Sequence, residues 1–296
     1  NDRSRFVRTV FGYLVVILQH GTHLATGFIG HSIMKGESWL KPLNPPMQDW
    51  RGRSVWIVGA SSGIGHAVAE ALLQAGARVA LSSRQSAPLE ALAQRYPHAS
   101  VVTVDVTSHD SVKLAAAQVK AQQGLDWVVY CAGYYQALRA EQYDLSQMLR
   151  HQDVNYLGAL RLLDTVLPDL LAQRQGHVSL VASVAGYRGL PQSLAYGPTK
   201  AALIHLAETL YLDLHARGVG VSVVNPGFVE TPMTAQNQFH MPALIQPAEA
   251  ARRMLQGWAA GDFEIHYPRR FTWALKFLRC LPYRWYFRAV RRTTGL

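Results

Sequence analysis

From Arg51 onward, short apolar runs alternate with longer stretches rich in Ala, Leu and Gln, and that alternation leaves the chain very few folds. The apolar runs are Ser54–Val58, Arg78–Ser82, Ser100–Val104, Asp126–Cys131, His177–Val181, Val219–Val224 and Phe263–Tyr267. Continuous apolar runs of this kind suit strands covered on both faces, as in a parallel sheet. Helical patterns separate them: an Ala-rich stretch to Gln74, then Ala87–Gln94, Ser108–Gln123, Leu145–Leu171, Tyr196–Arg217 and Pro247–Ala259. Crossovers of one hand then wind the chain into an α/β, doubly wound parallel sheet of about seven strands with helices on both faces. No internal repeat at solenoid periods competes with that expectation.

Charge divides the chain differently. It has 296 residues and a formal net charge of +10. Residues 1–50 hold five basic and three acidic side chains, residues 51–264 sixteen of each, and residues 265–296 eight basic and no acidic ones. A neutral body therefore carries a basic tail, which argues against a nucleic-acid-binding core with its own basic face. With 49% hydrophobic and 16% charged residues, long disorder is also excluded. Cys131 and Cys280 form neither a disulfide framework nor a CxxC metal motif, so no metal is expected and a reducing, cytoplasmic compartment is favoured.

Three segments follow: an N-terminal extension (1–50), a catalytic body (51–268) and a basic aromatic tail (269–296). The extension holds the apolar run Val10–Leu18, about half of the roughly 20 residues a spanning helix needs. It fits an interfacial amphipathic helix, a helix packed on the body, or a poor membrane span. Lys41–Pro46 reads as a stiff linker because of its prolines.

Three constellations carry chemistry. Gly59-Ala60-Ser61-Ser62-Gly63-Ile64-Gly65 follows the first strand and opens a helix. Small residues allow a tight turn and close approach to a pyrophosphate, and the helix offers free N–H groups and a positive dipole end. At the end of the second strand stand Ser83 and Arg84. An acidic residue here would bond a ribose 2′-hydroxyl, whereas Arg accommodates a 2′-phosphate, so NADP(H) is preferred and NAD(H) remains possible. Third, Tyr196 and Lys200 lie four residues apart on one helix face, with Ser183 and Asn155 upstream. A nearby ammonium lowers a phenol pKa and makes Tyr an acid/base near neutral pH.

Together these residues resemble the classical short-chain dehydrogenase/reductase family. The matches are Gly59, Gly63 and Gly65; Asp105; Ala132-Gly133; Asn155; Ser183; Tyr196 with Lys200; and Asn225-Pro226-Gly227 followed by Val229-Glu230-Thr231-Pro232-Met233. They run in order over about Arg51–Tyr267. The resemblance implies a Rossmann-like fold and ketone–alcohol interconversion. It makes Tyr196 the proton donor or acceptor and has Lys200 hold the nicotinamide ribose. Ser183 would orient the substrate oxygen, and Asn155 would help hold a water linking Lys200 to solvent. It places Asp105 and Val106 near adenine, and Ala132, Gly133, Pro226, Gly227, Val229 and Thr231 along the cofactor. Ser61 and Ser62 stand where many NADP-preferring members carry a basic residue, so cofactor preference rests mainly on Arg84, and two further departures stand out. Val58 replaces the usual Thr before the first glycine, and Tyr130-Cys131 replace the usual Asn pair before Ala-Gly, so hydrogen bonds made there must be replaced or lost.

Residues 228–246 occupy the place of the family's substrate-covering loop. They include Met233, Phe239, Met241, Leu244 and Ile245, which suits a lipidic or other hydrophobic ketone, or simply packs the loop. A steroid-like or small soluble ketone, and a cofactor-binding scaffold with little catalysis, are the alternatives. In the loop after Ser183, Arg188 reads as solvated or as a contact for an anionic head group. The tail holds seven aromatic residues between Phe271 and Phe287, and on a helix Arg284, Arg288 and Arg291 share a face opposite Tyr286, Ala289 and Val290. That composition fits peripheral binding to an anionic membrane surface, with a helical subdomain, a dimer contact or RNA as other readings. No nucleic-acid partner is expected. A homodimer or homotetramer through Leu145–Leu171 and Tyr196–Arg217 is implied by the family.

Overall fold

The computed structural model describes residues 41–237 and 241–294. The Val10–Leu18 run and Phe239 lie outside the described residues. All elements below belong to the unit Leu43–Leu296.

Seven strands form one parallel sheet: β1 Ser54–Val58, β2 Arg78–Ser82, β3 Ala99–Val101, β4 Trp127–Tyr130, β5 His177–Val181, β6 Gly220–Pro226 and β7 Glu264–Tyr267, in the order β3-β2-β1-β4-β5-β6-β7. The helices are α1 Gly63–Gln74, α2 Ala87–Ala93, α3 His109–Gln123, α4 Leu145–Gln152, α5 Gly158–Gln173, α6 Tyr196–Leu214, α7 Pro247–Ala260, α8 Arg269–Cys280 and α9 Tyr283–Thr294. Successive strand residues face opposite sides. Val55 and Ile57 of β1 therefore join one core with Leu72 and Trp258, while Trp56 and Val58 join the other with Val128 and Leu162. Both faces are covered, as the uniformly apolar runs demand.

The strand order reverses between β1 and β4, where the connections leave in opposite directions and a crevice opens at the carboxyl ends. Register aligns those ends: Val58 pairs with Ser82 and with Tyr130, Tyr130 with Leu180, and Val181 with Val224. The glycine turn, Arg84, Ala132-Gly133 and Ser183 thus emerge along one edge.

The opposite edge is purely structural. Trp50, Trp127 and Trp258 meet edge-to-face at 5.1–5.6 Å, and Trp127 stacks on His177 at 3.7 Å. Ser222 Oγ contacts His177 Nε2 at 2.9 Å and accepts from Trp258 Nε1. Burial pushes His177 down to about 3, so the imidazole is neutral at ordinary pH. The expected stiff linker is also tied down: Asn44 donates to Val221 O at 2.8 Å and accepts from Val221 N at 3.0 Å.

The expected single helix Leu145–Leu171 is interrupted. A π turn at Asp153–Leu157 separates α4 from α5, and it carries Asn155. Its anchor is Tyr130, one of the two departures from the family pattern. The buried Tyr130 hydroxyl donates to Val154 O, occupying a carbonyl of that turn. Space for it comes from Gly158, where an added Cβ would overlap the hydroxyl and lie 3.0 Å from Val106 Cβ. At one of the two positions where the usual Asn is missing, a longer side chain thus makes a hydrogen bond through a glycine gap.

The tail is built onto the body. Glu264 accepts from Tyr187 Oη at 2.6 Å, Asn225 Nδ2 at 2.8 Å and Lys276 Nζ at 2.5 Å. Arg188 corrects the expectation of a solvated or head-group role. Its Nη1 donates to Leu278 O, Arg279 O and Leu281 O at 2.6–3.1 Å, and its guanidinium lies 4.7 and 4.0 Å from the Tyr283 and Tyr286 ring centroids. It thereby satisfies the carbonyls that end α8.

Gly158→Ala is expected to cost about 1–3 kcal/mol through overpacking, measured by guanidinium unfolding. Adding Tyr130→Phe removes the clashing oxygen and recovers part of that loss, so the double variant falls short of the summed single losses. Additive losses would dismiss the Tyr130–Gly158 contact.

Candidate active site

The crevice at the carboxyl edge is a cavity of about 340 Å³ running from the glycine turn to Tyr196. At the turn, Gly59 has φ +101°, and a Cβ there would lie 2.5 Å from Ala132 N. No other residue allows the β1 and β4 loops to approach so closely. Gly65 sits against Gly59 O with no room for a Cβ, which brings α1 down onto the turn. Ser62 caps α1 in extended conformation without spending its side chain on the cap, and the first turn holds no acid. The α1 amides and positive dipole end therefore suit a phosphate.

Beyond β2, Ser83 Oγ donates to Gln85 O at 2.6 Å. Arg84 is exposed on the cavity wall and makes no hydrogen bond or ion pair among the described residues. Asp105 accepts from Thr107 N at 3.0 Å and Thr107 Oγ1 at 2.8 Å. The backbone bond from Thr107 is the largest cause of its lowered pKa, with Arg84 and Arg161 adding smaller contributions, so the carboxylate is ionised. These groups, the glycine cradle and the helix terminus fit a dinucleotide lying across the sheet edge.

At the other end, Ser183 leaves β5 and its Oγ accepts from Ala185 N at 3.1 Å. Gly186 lets this turn lie on α6, since a Cβ there would meet Lys200 C at 2.6 Å. Tyr196 begins α6 and Lys200 follows one turn later, with Nζ 5.4 Å from the Tyr196 ring centroid. Lys200 is 4% exposed and donates to Val181 O at 2.9 Å. Burial lowers it to about 8, opposed by the neighbouring Cys131. Cys131 itself is pushed up to about 11 by burial.

Tyr196 behaves differently from the simple expectation. Burial raises its phenol well above the ordinary value, and hydrogen bonding with Ser183 works in the opposite direction. Desolvation outweighs stabilisation of a phenolate. In this state the hydroxyl keeps its proton, the form that can donate to a carbonyl.

Of the residues expected at the site, Gly59, Ser61, Ser62, Gly63, Ile64, Gly65, Ser83, Arg84, Asp105, Val106, Ala132, Gly133, Ser183, Tyr196, Lys200, Pro226, Gly227, Val229 and Thr231 all line this cavity. Asn155 does not. It is fully buried below the surface, accepting from Tyr134 N at 2.6 Å and donating to Tyr134 O and Thr199 Oγ1, both at 3.0 Å. It fixes the loop after Gly133 against α6. Two further residues escaped sequence reasoning. Tyr135 meets the Tyr196 ring edge-on at 5.1 Å, and Thr199 anchors Asn155. The Tyr134-Tyr135 pair after Ala132-Gly133 was the available signal; Thr199, one residue before Lys200 on α6, gave none.

A sequence model described as short chain dehydrogenase matches residues 53–241. The chain belongs to that family. An uncharacterized oxidoreductase of Myxococcus xanthus is 34% identical over 251 residues, covering 83% of this chain and 99% of the relative. Another, from Staphylococcus epidermidis, is 37% identical over 185 residues, covering 62% of this chain and 80% of the relative. The crystal structure of a short-chain dehydrogenase from Streptomyces avermitilis superposes with a TM-score of 0.70 at 26% identity, over 76% of this chain and 92% of that one. The protein is thus a short-chain dehydrogenase/reductase enzyme, of a family that uses NAD(P)(H).

Lys200 has a pH signature. Its folded pKa of about 8 lies below the unfolded value of 10.5, so between these pH values the unfolded chain binds more protons. Stability relative to Lys200→Met should therefore rise with pH from about 8 toward 10.5, read as a difference between the two melting temperatures. A flat difference would show that the ammonium is not desolvated.

Proposed function

We propose that the protein is an NADP(H)-dependent oxidoreductase that interconverts a ketone and a secondary alcohol on a hydrophobic substrate, a lipid or long-acyl compound fitting best. The observation that carries this reading is that Tyr196 shares one cavity with Ser183, Lys200 and the glycine turn. The nicotinamide cofactor supplies or accepts the hydride. In the reducing direction Tyr196 donates its proton to the substrate oxygen, and Ser183 orients that oxygen and steadies its developing charge. Lys200, held by Val181 O, places a cation beside the phenol once its proton has left, offsetting the burial that otherwise disfavours phenolate. Asn155 acts as a positioning residue, because both polar ends of its side chain are committed to Tyr134 and Thr199.

Preference for NADP(H) rests on the end of β2. No carboxylate stands there to repel a 2′-phosphate, and Arg84 has a guanidinium free to clamp one. A hydrophobic substrate is supported by Tyr135 beside Tyr196 and by Met233 from the covering segment, whereas Ile245 of that segment packs against the core. Self-association as a dimer or tetramer is supported by Leu145 and Leu149 on α4 and Leu212 on α6, all of them exposed.

Tyr196→Phe should lower NADPH oxidation with hydrophobic ketones by about 10²–10⁴-fold while leaving NADPH binding intact. Unchanged turnover would sink the assignment. Arg84→Ala should raise KM for NADPH by at least about tenfold and hardly alter KM for NADH. An equal effect on both would remove the 2′-phosphate role.

A further inference from the structure

We propose that the outward faces of α8 and α9 dock on an anionic lipid bilayer. The proposal does not depend on the catalytic reading.

Amphipathic helices normally bury their large apolar side chains and leave polar ones outside. Here the order is partly inverted. Tyr286, Val290 and Thr272 face the body, while Trp273, Phe277, Tyr283, Trp285 and Phe287 are each 55–70% exposed. On α8, Trp273 and Phe277 stand one turn apart with Arg269 and Arg270 on the same side. On α9, Arg284, Arg288 and Arg291 form the outward stripe, flanked by Trp285 on one side and by Phe287 and Tyr283 on the other. Tyr283 and Phe287 stack at 5.7 Å, so this flank is continuous.

Charge selects the occupant. Residues 265–296 hold eight cations and no acid, and among the described residues only Lys276 meets a carboxylate, Glu264. The other seven are arginines with no acidic partner among the described residues. A protein face of ordinary composition would not complement such a surface, whereas a sheet of anionic head groups would. Trp, Tyr and Phe beside Arg also suit the boundary between head groups and acyl chains. No described helix is long and apolar enough to cross a membrane, so the contact would be peripheral.

The surface is fixed to the catalytic body. Arg188, five residues after Ser183, holds the last carbonyls of α8 and lies against Tyr283 and Tyr286. Tyr286 Oη donates to Gly189 O at 2.6 Å, and Phe271 approaches Phe228 at 5.8 Å. The docking helices therefore share contacts with the loop after Ser183 and with the segment after Gly227.

The test is sedimentation of the full chain with vesicles of phosphatidylcholine alone or mixed with phosphatidylglycerol. Binding to the mixed vesicles only, weakening as salt is raised, is the expected result. Arg284→Glu/Arg288→Glu should reduce that binding by more than about 30-fold, taking roughly fivefold per cation lost. Trp273→Ala/Phe277→Ala should weaken the binding that remains at high salt. All four positions are exposed, and unchanged melting temperatures and NADPH turnover confirm that the variants fold. Equal binding to both vesicle types, wild-type binding by the charge variant, or no binding at all would overturn the proposal. So would retention on RNA, or concentration-dependent self-association through these residues, without vesicle binding.

Discussion

The active-site edge depends on the contact between the loops that leave β1 and β4. Gly59 turns with a positive φ directly against Ala132 N, and Gly65 rests on Gly59 O. Parallel pairing brings both loops to one edge, and the reversal of strand order sends their connections apart. Unless the backbones meet this closely, α1 cannot aim its amides along the edge, and the cavity loses its floor. Any side chain at Gly59 would force the two strands' ends apart. Everything downstream, from Arg84 at one end to Tyr196 at the other, is arranged around that seam.

A second layer holds the reactive end in place. Tyr196 and Lys200 stand on α6, Ser183 on the turn after β5, and Asn155 on the π turn between α4 and α5. Each joint between these elements relies on a short side chain or a matched pair: Gly186 on the Lys200 backbone, Asn155 between Tyr134 and Thr199, and Tyr130 through the gap at Gly158. The last pair shows how a departure from the family pattern is absorbed. A buried phenol takes the π-turn carbonyl, and the residue opposite is a glycine.

Burial governs the electrostatics more than pairing does. Tyr196, Lys200 and Cys131 all shift toward their neutral forms, with desolvation the largest cause at each. A neutral phenol is the acid needed to protonate a carbonyl, and an ammonium with a lowered pKa sits close to the range where proton movement is easy. Exposed arginines without a carboxylate partner among the described residues cluster elsewhere, on α8 and α9.

Sequence by itself determined the fold class and much of the cavity wall, though not Thr107, Tyr134, Arg150 or Val154, which also line it. Apolar runs of uniform character require a sheet covered on both faces, and the glycine turn, Arg84, Ser183, Tyr196 and Lys200 follow strands or begin a helix at positions set by local chemistry. Tertiary structure decided what depends on meetings between distant segments. Asn155 became a buried clamp because Tyr134 and Thr199 reach it from two other elements. The Tyr196 phenol is pushed upward because desolvation, absent from any spacing rule, outweighs its hydrogen bond with Ser183. Arg188 changed from a loop cation to the cap of α8 because the tail folds back over the loop after Ser183. Spacing along a chain records which residues can share a helix face or a turn, but only packing fixes how much water reaches them and which remote carbonyls they meet.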